Sequence, residues 1–268
     1  MTELTLLILL LCVAFVLAPV MTNRFFLNDS RVYADVHKVS LIILLIGPAL
    51  NSNHSAVVWL VFCAFGFLLY LKKEYKTIFS IQGMASCFPF VFSLISAVWF
   101  VSGVIDLRLL GYDRTWSLYA ALHGIFLGWL FIGCLAFLSK RPIPYKGYLW
   151  GCYLCFIFFL LVAFGIDGVA SIKRIGVVGL SLIVPFLIGI YAFNLKKGHK
   201  LSFLFAMLSL CSIIISMTLA ILNEFWTGFP RFAFGIPIMV LAHGLMNSIF
   251  AVPCFFLAIR SEPGSNDD

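Results

Sequence analysis

Long apolar segments separated by short polar ones run through the whole chain. Nine such segments occur, at approximately residues 4–21, 39–50, 56–71, 84–104, 116–138, 148–166, 175–194, 201–222 and 233–259. A helix needs about 20 apolar residues to cross the hydrocarbon core of a bilayer. The pattern therefore predicts an all-α fold, a polytopic transmembrane helix bundle of about nine spans.

The second and third segments are short, so the span count has alternatives. They flank the polar residues 51–54 and form either two spans or one re-entrant hairpin. A hairpin would give seven crossings, and eight would result if one of the two failed to cross. We favour nine, because irregular backbone exposed to lipid is not tolerated at membrane depth.

The composition excludes a soluble protein. Of the 268 residues, 63% are hydrophobic and 11% are charged, whereas soluble domains carry about 25% charged residues. The longest mainly polar stretch runs from Thr22 to His37, which is too short for a soluble domain. We therefore predict one transmembrane helical domain over residues 1–260 and a polar cytoplasmic tail over residues 261–268.

Basic residues predict the orientation of the chain. Every second loop along the chain should lie on the same side of the membrane, which gives two sets of loops. The set with fewer basic residues holds Arg108, Arg114, Lys173, Arg174 and Arg231. The richer set holds the other thirteen of the eighteen Lys and Arg residues. Basic loops stay in the cytoplasm, so we expect a cell-membrane protein with its N-terminus outside and its C-terminus cytoplasmic. The net charge of +7 thus belongs to short loops facing membrane lipids, and it does not indicate nucleic-acid binding.

Polar residues inside apolar spans are costly and mark candidate functional sites. By the predicted orientation, most of them gather towards the extracytoplasmic side. The candidate catalytic residues are His123, His243, Glu224, Asp106 and Asn247. His243 and Asn247 are four residues apart and share one helix face. The alternative for each histidine is a hydrogen bond that fixes helix packing, and for Glu224 it is a solvated or ion-paired helix end.

A short pattern occurs twice. Each copy has an acid, a basic residue seven or eight positions later, and a His-Gly pair nine to twelve positions beyond that. The copies are Asp106, Arg114 and His123-Gly124, and Glu224, Arg231 and His243-Gly244. The repetition suggests an ancient duplication or a shared site, with chance as the competing explanation.

Four functions fit these residues. The first is a membrane-embedded enzyme acting on a lipophilic substrate, with His123, His243 and Glu224 as acid or base groups that Asp106 and Asn247 orient. The second is a small-molecule transporter or binding protein. The third is an accessory subunit with membrane-protein partners. The fourth is a haem-binding redox protein with two histidine ligands. The sequence identifies no cofactor and predicts no metal site.

The haem hypothesis depends on where the histidines lie. His123 and His243 lie within spans, whereas His37, His54 and His199 fall in predicted loops. A second histidine pair inside the membrane, as expected for electron transfer through two haems, is therefore not predicted.

Two stretches resemble the YndJ-like family of bacterial membrane proteins. They are residues 118–123 (LYAALH) and residues 243–247 (HGLMN). The family tends to carry a further histidine just after the first, where this chain has Gly124-Ile125-Phe126. The resemblance implies a multi-span protein of the bacterial inner membrane, and it carries no established activity.

Overall fold

Helices make up nearly all of the structure, a computed structural model that describes residues 2–47, 54–141, 146–195 and 199–262. Nine helices lie within these residues. They are α1 (Glu3–Phe26), α2 (Arg31–Ile46), α3 (Ser55–Glu74), α4 (Ile81–Ile105), α5 (Arg114–Ser139), α6 (Lys146–Asp167), α7 (Ala170–Asn194), α8 (Lys200–Phe225) and α9 (Met239–Arg260). The all-α, polytopic fold predicted from the sequence is confirmed.

Eight of the helices in the described residues are long and apolar enough to cross a membrane. The exception is α2, whose 16 residues span about 24 Å at 1.5 Å per residue. The protein is therefore an integral, multi-pass membrane protein. A ninth crossing through α2 stays a prediction, and the end of the predicted second segment, residues 48–50, lies outside the described residues.

The start of α2 corrects the sequence analysis, which treated the residues up to His37 as polar loop. The helix begins at Arg31, after Ser30, whose hydroxyl accepts a hydrogen bond from the Tyr33 amide at 3.4 Å. Its buried side chains are Tyr33, His37 and Ser40, which repeat at helical spacing. This buried stripe is polar, so average hydropathy does not detect it.

The ninth predicted segment also begins too early. Residues Phe232–Ala233 and Ile236–Pro237 form a short antiparallel hairpin, β1 and β2. Gly235 at its turn has a φ of +74°, a conformation that glycine adopts without strain. The aromatic side chains of this hairpin are apolar, which is why hydropathy extended the segment across it. The helix itself begins at Met239.

The chain forms two compact units. The N-terminal unit is Leu11–Lys140, and the C-terminal unit is Arg141–Asp268 together with Met1–Leu10. Helix α1 contributes residues to both. Of the predicted polar tail, residues 263–268 lie outside the described residues, while Glu262 is ion-paired with Arg141.

Aromatic side chains fill the core of the N-terminal unit. The rings of Phe15 and Trp59 lie 4.3 Å apart, and both Trp59 and Trp129 are fully buried. The Trp129 indole N–H donates to the Thr22 hydroxyl at 2.6 Å. The Thr22 hydroxyl thus satisfies the one polar atom of the Trp129 side chain.

Close glycine contacts join α6 to α7 in the C-terminal unit. A Cβ on Gly165 would meet the backbone of Lys173, and a Cβ on Gly176 would meet the backbone of Phe158 at 2.7 Å. Small residues let membrane helices approach closely. The start of α7, with its charged residues, is thereby held against the end of α6.

Two helices contain π-helical stretches, in which each turn holds one extra residue. In α5 the stretch is Gly124–Phe131, and in α9 there are two, Met239–Gly244 and Met246–Ala251. Such stretches are rare in proteins, and those that occur are often found at functional sites. Both copies of the His-Gly pair lie at a π-helical stretch, so the repeated pattern in the sequence is accompanied by a repeated backbone feature.

Candidate functional site

Glu224 lies beside the last residue of α8 and binds two cations from the first turns of α7. Its Oε2 is 2.9 Å from Lys173 Nζ, and its Oε1 is 3.5 Å from Arg174 Nε. The side chains of Glu224, Lys173 and Arg174 are 10%, 32% and 53% exposed. Glu224 is therefore the ion-paired helix end that the sequence offered as an alternative, and both of its carboxylate oxygens face cations.

His243 and Asn247 form a second polar group, on α9. The Asn247 amide nitrogen is 3.0 Å from His243 Nε2, on the helix face that the two residues share. His243 Nδ1 lies 2.9 Å from both the hydroxyl and the carbonyl oxygen of Ser216 on α8. The network assigns the neutral tautomer in which Nδ1–H donates to Ser216 and Nε2 accepts from Asn247.

One atom of this second group is unusual. Asn247 Oδ1 is buried and has no hydrogen-bond partner among the described residues. A buried acceptor without a donor is costly, and such atoms in a native structure call for a reason. Oδ1 is closed off from the surroundings in this structure, so an outside donor would reach it only after the neighbouring side chains move.

Helix α8 keeps the two groups on different faces. Ser209 and Ser216 are seven residues apart and bond to α9, through the Ala251 carbonyl and His243. Met217 and Glu224, also seven apart, contact Ser181 and Lys173 of α7. Successive helix positions differ by about 100°. The described contacts therefore form two polar groups instead of one shared pocket.

The remaining candidates lie in the N-terminal unit. His123 Nδ1 is 2.8 Å from the Tyr119 carbonyl of its own helix, and its ring is exposed. Asp106 directly follows the last residue of α4 and has a φ of 53°. Its Oδ1 lies 3.6 Å from Arg108 Nε, and both side chains are exposed. Neither residue bonds to another candidate in the described contacts.

An aromatic row lies beside His123 on the N-terminal unit. Trp99 stacks on Tyr112 with ring centroids 5.2 Å apart, and the row continues through Trp116 to Tyr119. Aromatic residues of this kind are enriched where helices meet the membrane–water boundary. The row is consistent with a boundary position for the start of α5.

His37 is a residue that the sequence analysis placed wrongly in a loop. It lies in α2, is buried, and its Nε2–H donates to the Phe15 carbonyl at 2.8 Å. Its ring stacks on Phe62 at 5.3 Å. The spacing of Tyr33, His37 and Ser40 was the signal that would have located it. The contacts indicate a packing role.

An apolar groove begins at the Glu224 cluster. It has a volume of about 440 Å³ and is shallow and largely open. Its lining residues are Phe158 of α6, Arg174, Ile175, Val178 and Gly179 of α7, and Phe225 of α8. The Arg174 guanidinium lies over the Phe225 ring, 5.7 Å from its centroid. The sequence analysis counted Lys173 and Arg174 only as loop charges and missed the ion pairs with Glu224 and the place of Arg174 in the groove lining.

A metal centre has no support in the described ranges, where no group of three His, Cys, Asp or Glu side chains is placed to hold an ion. Comparisons with protein-family models, curated proteins and solved structures find no match to this chain. The resemblance to the YndJ-like family stays a prediction.

Proposed function

We propose that the protein is a membrane-embedded binding protein for a lipophilic molecule with a polar head, held by the C-terminal unit. The observation that carries the proposal is the apolar groove that ends at the Glu224–Lys173–Arg174 cluster. A lipophilic molecule needs an apolar surface for its body and a polar site for its head, and this groove offers both.

The size of the groove suits such a ligand. Small-molecule sites have volumes of about 300–1,000 Å³ and are lined mainly by apolar side chains with few polar groups. The groove has about 440 Å³ and a single charged residue, Arg174, among its six lining residues. Because the groove is shallow and largely open, a ligand can enter it directly from the hydrocarbon phase.

The position of the cluster supports a boundary site for the head. Lys173 and Arg174 lie in the first turns of α7, and Glu224 lies next to the end of α8. Ends of spanning helices meet the headgroup region. The positive-inside pattern favours the extracytoplasmic side for this end, so we propose that the ligand head faces outward.

A groove-filling substitution tests the proposal. Val178→Trp places a large side chain in the groove, and the matched control Leu208→Trp adds the same side chain to α8. Leu208 is exposed and lies about 25 Å along α8 from Phe225 at 1.5 Å per residue. Native mass spectrometry of the full-length protein in mild detergent would compare the bound molecules.

We expect a defined lipophilic molecule on the wild type and on Leu208→Trp, and its loss from Val178→Trp. Equal amounts of the same molecules on all three proteins would contradict the proposal.

An enzyme is the second candidate, and the observation that favours it is the unpartnered Asn247 Oδ1 beside His243. A substrate hydroxyl or amine that reached this oxygen would donate to it next to the His243 imidazole. Product analysis after incubation with membrane lipids would test it. Conversion that is lost in His243→Gln and kept in His123→Gln would support catalysis.

Haem ligation is less consistent with these contacts. Both ring nitrogens of His243 take part in hydrogen bonds, with Ser216 and Asn247. Iron binding would require Nε2 to leave Asn247. An absorption spectrum of the purified protein would reveal a bound haem directly.

A further inference from the structure

We infer that the groove binds an anionic phospholipid, with the lipid phosphate at Arg174 and Lys173. This inference rests on the proposed function and narrows it to one ligand class. It depends on three observations: the order of the charges at the groove, the pose of Arg174, and the shape of the α7 face below it.

The charges are layered, with the carboxylate inside and the cations outside. Glu224 is nearly buried, Lys173 is partly exposed, and Arg174 is the most exposed of the three. A head that approaches from outside therefore meets the two cations before it meets the carboxylate. The cluster has one positive charge in excess, which favours an anionic head and repels a cationic one.

The pose of Arg174 suits a phosphate. Glu224 faces Nε, one of the five N–H donors of the guanidinium. The guanidinium carbon lies over the Phe225 ring, 5.7 Å from its centroid. A guanidinium held in this way can present its two terminal nitrogens to two phosphate oxygens, a geometry that a lysine ammonium cannot reproduce.

The apolar part of the groove continues directly below Arg174. Arg174 and Val178 are four residues apart, as are Ile175 and Gly179, so the four residues lie along one helix face. They cover about 7 Å of α7 at 1.5 Å per residue. This surface extends from the head towards the hydrocarbon core, where the first part of an acyl chain would lie.

Gly179 shapes the floor of the groove. A Cβ at this position would meet the Phe158 ring at 2.5 Å, so only glycine lets Phe158 lie against α7. The resulting floor is an aromatic ring and bare backbone. An extended acyl chain can lie flat on this floor, and the side chains of Ile175 and Val178 form the wall of the groove beside it.

The test compares two lipids with identical acyl chains, phosphatidylglycerol and zwitterionic phosphatidylcholine, added to full-length protein in detergent. Native mass spectrometry measures the amount of each lipid bound. A basic residue near a lipid headgroup favours anionic lipid by about fivefold. We expect the wild type to prefer phosphatidylglycerol by at least this factor, and Arg174→Gln to lose the preference.

The matched control for Arg174→Gln is Arg108→Gln. Arg108 is also an exposed, ion-paired arginine near a helix end, but it lies in the N-terminal unit. We expect Arg108→Gln to keep the wild-type preference. An equal loss in both variants would mean that the preference reflects overall charge, and this would overturn the inference.

A conservative variant covers the case in which Arg174→Gln does not fold. Arg174→Lys keeps the charge and loses the planar fork, so we expect a reduced but measurable preference. An unchanged preference would overturn the role of the guanidinium.

Failure of the inference and failure of the proposed function are distinguishable. Equal binding of the two lipids, with both lost in Val178→Trp, would overturn the anionic specificity and keep the binding groove. Binding of both lipids that Val178→Trp leaves unchanged would overturn the groove itself.

Discussion

Helices α5 and α9 carry the same local pattern but use it differently. In each, a His-Gly pair lies at a π-helical stretch. His123 is exposed and bonds to its own helix, whereas His243 bonds to Ser216 on the neighbouring helix. The two copies therefore share a backbone feature, while their histidines differ in whether they contact a neighbouring helix.

The glycine of each pair explains the difference. In α5, a Cβ on Gly124 would collide with the Ser96 hydroxyl of α4, so this face is in tight helix contact. In α9, a Cβ on Gly244 would have its nearest neighbours at 3.5 and 3.6 Å. Because the α5 glycine is pressed against α4, its histidine lies on the outer side. The looser packing around Gly244 accompanies a histidine that reaches a partner.

The largest expected difference in stability is between alanine substitutions at Gly124 and Gly244. Gly124→Ala overpacks the contact with Ser96 and should cost about 3 kcal/mol of stability. Gly244→Ala has room and should be neutral or stabilising by up to about 1 kcal/mol, because glycine inside a helix is unfavourable. Thermal unfolding of both variants in detergent measures the difference, and equal losses would show that the two helices pack alike.

The acidic residues that precede α9 and α5, Glu224 and Asp106, should give the second-largest difference in stability. Glu224→Gln leaves the partly exposed Lys173 and the exposed Arg174 without their nearly buried carboxylate, and we expect a loss of about 2 kcal/mol. The control Asp106→Asn removes an exposed pair and should cost less than about 1 kcal/mol. Asparagine also tolerates the left-handed conformation of Asp106. Chemical or thermal unfolding of the two variants measures both losses. A larger loss for Asp106→Asn than for Glu224→Gln would contradict the prediction.

The histidines give a smaller contrast. His243→Ala removes the contacts with Ser216 and Asn247, and we expect a cost of about 1.5 kcal/mol. His123→Ala removes one bond to its own helix from an exposed position and should cost less than about 0.5 kcal/mol. Unfolding measurements on both variants test this difference. A larger loss of stability in His123→Ala than in His243→Ala would contradict it.

The smallest expected effect is at Asn247. Asn247→Leu loses the bond to His243 but also removes the unpartnered Oδ1, so the two changes should nearly cancel, within about 0.5 kcal/mol. The matched variant Asn247→Asp keeps the shape and an acceptor. A large destabilisation by leucine would indicate that Oδ1 has a partner in the folded protein, such as a bound donor.

Hydropathy predicted the fold because lipid imposes a simple rule on each spanning helix. Helices α4, α5 and α8 begin and end within three residues of their predicted segments. The rule fails where polar residues are buried, as in the stripe of α2, and where apolar residues form other structure, as in the β1–β2 hairpin. Hydropathy also carries no signal for a π-helical stretch, since it depends on backbone packing.

The candidate site was predictable only in part. The spacing of His243 and Asn247 placed them on one helix face, and the structure adds the hydrogen bond between them. The pairing of Glu224 with Lys173 and Arg174 joins residues about 50 positions apart on different helices, and a single sequence has no signal for that contact. The groove depends on the same interhelical packing, so it became visible only in the structure.

The most direct test of the proposed binding site is to locate a bound lipid on the full-length protein. A phosphatidylglycerol with a photoreactive acyl chain would be cross-linked in the membrane, and the labelled residues would be identified by mass spectrometry. The proposed site predicts labels at Phe158, Val178 and Phe225 that unlabelled phosphatidylglycerol reduces. Labels spread evenly over the exposed helix faces, or concentrated beside His123 on α5, would contradict it.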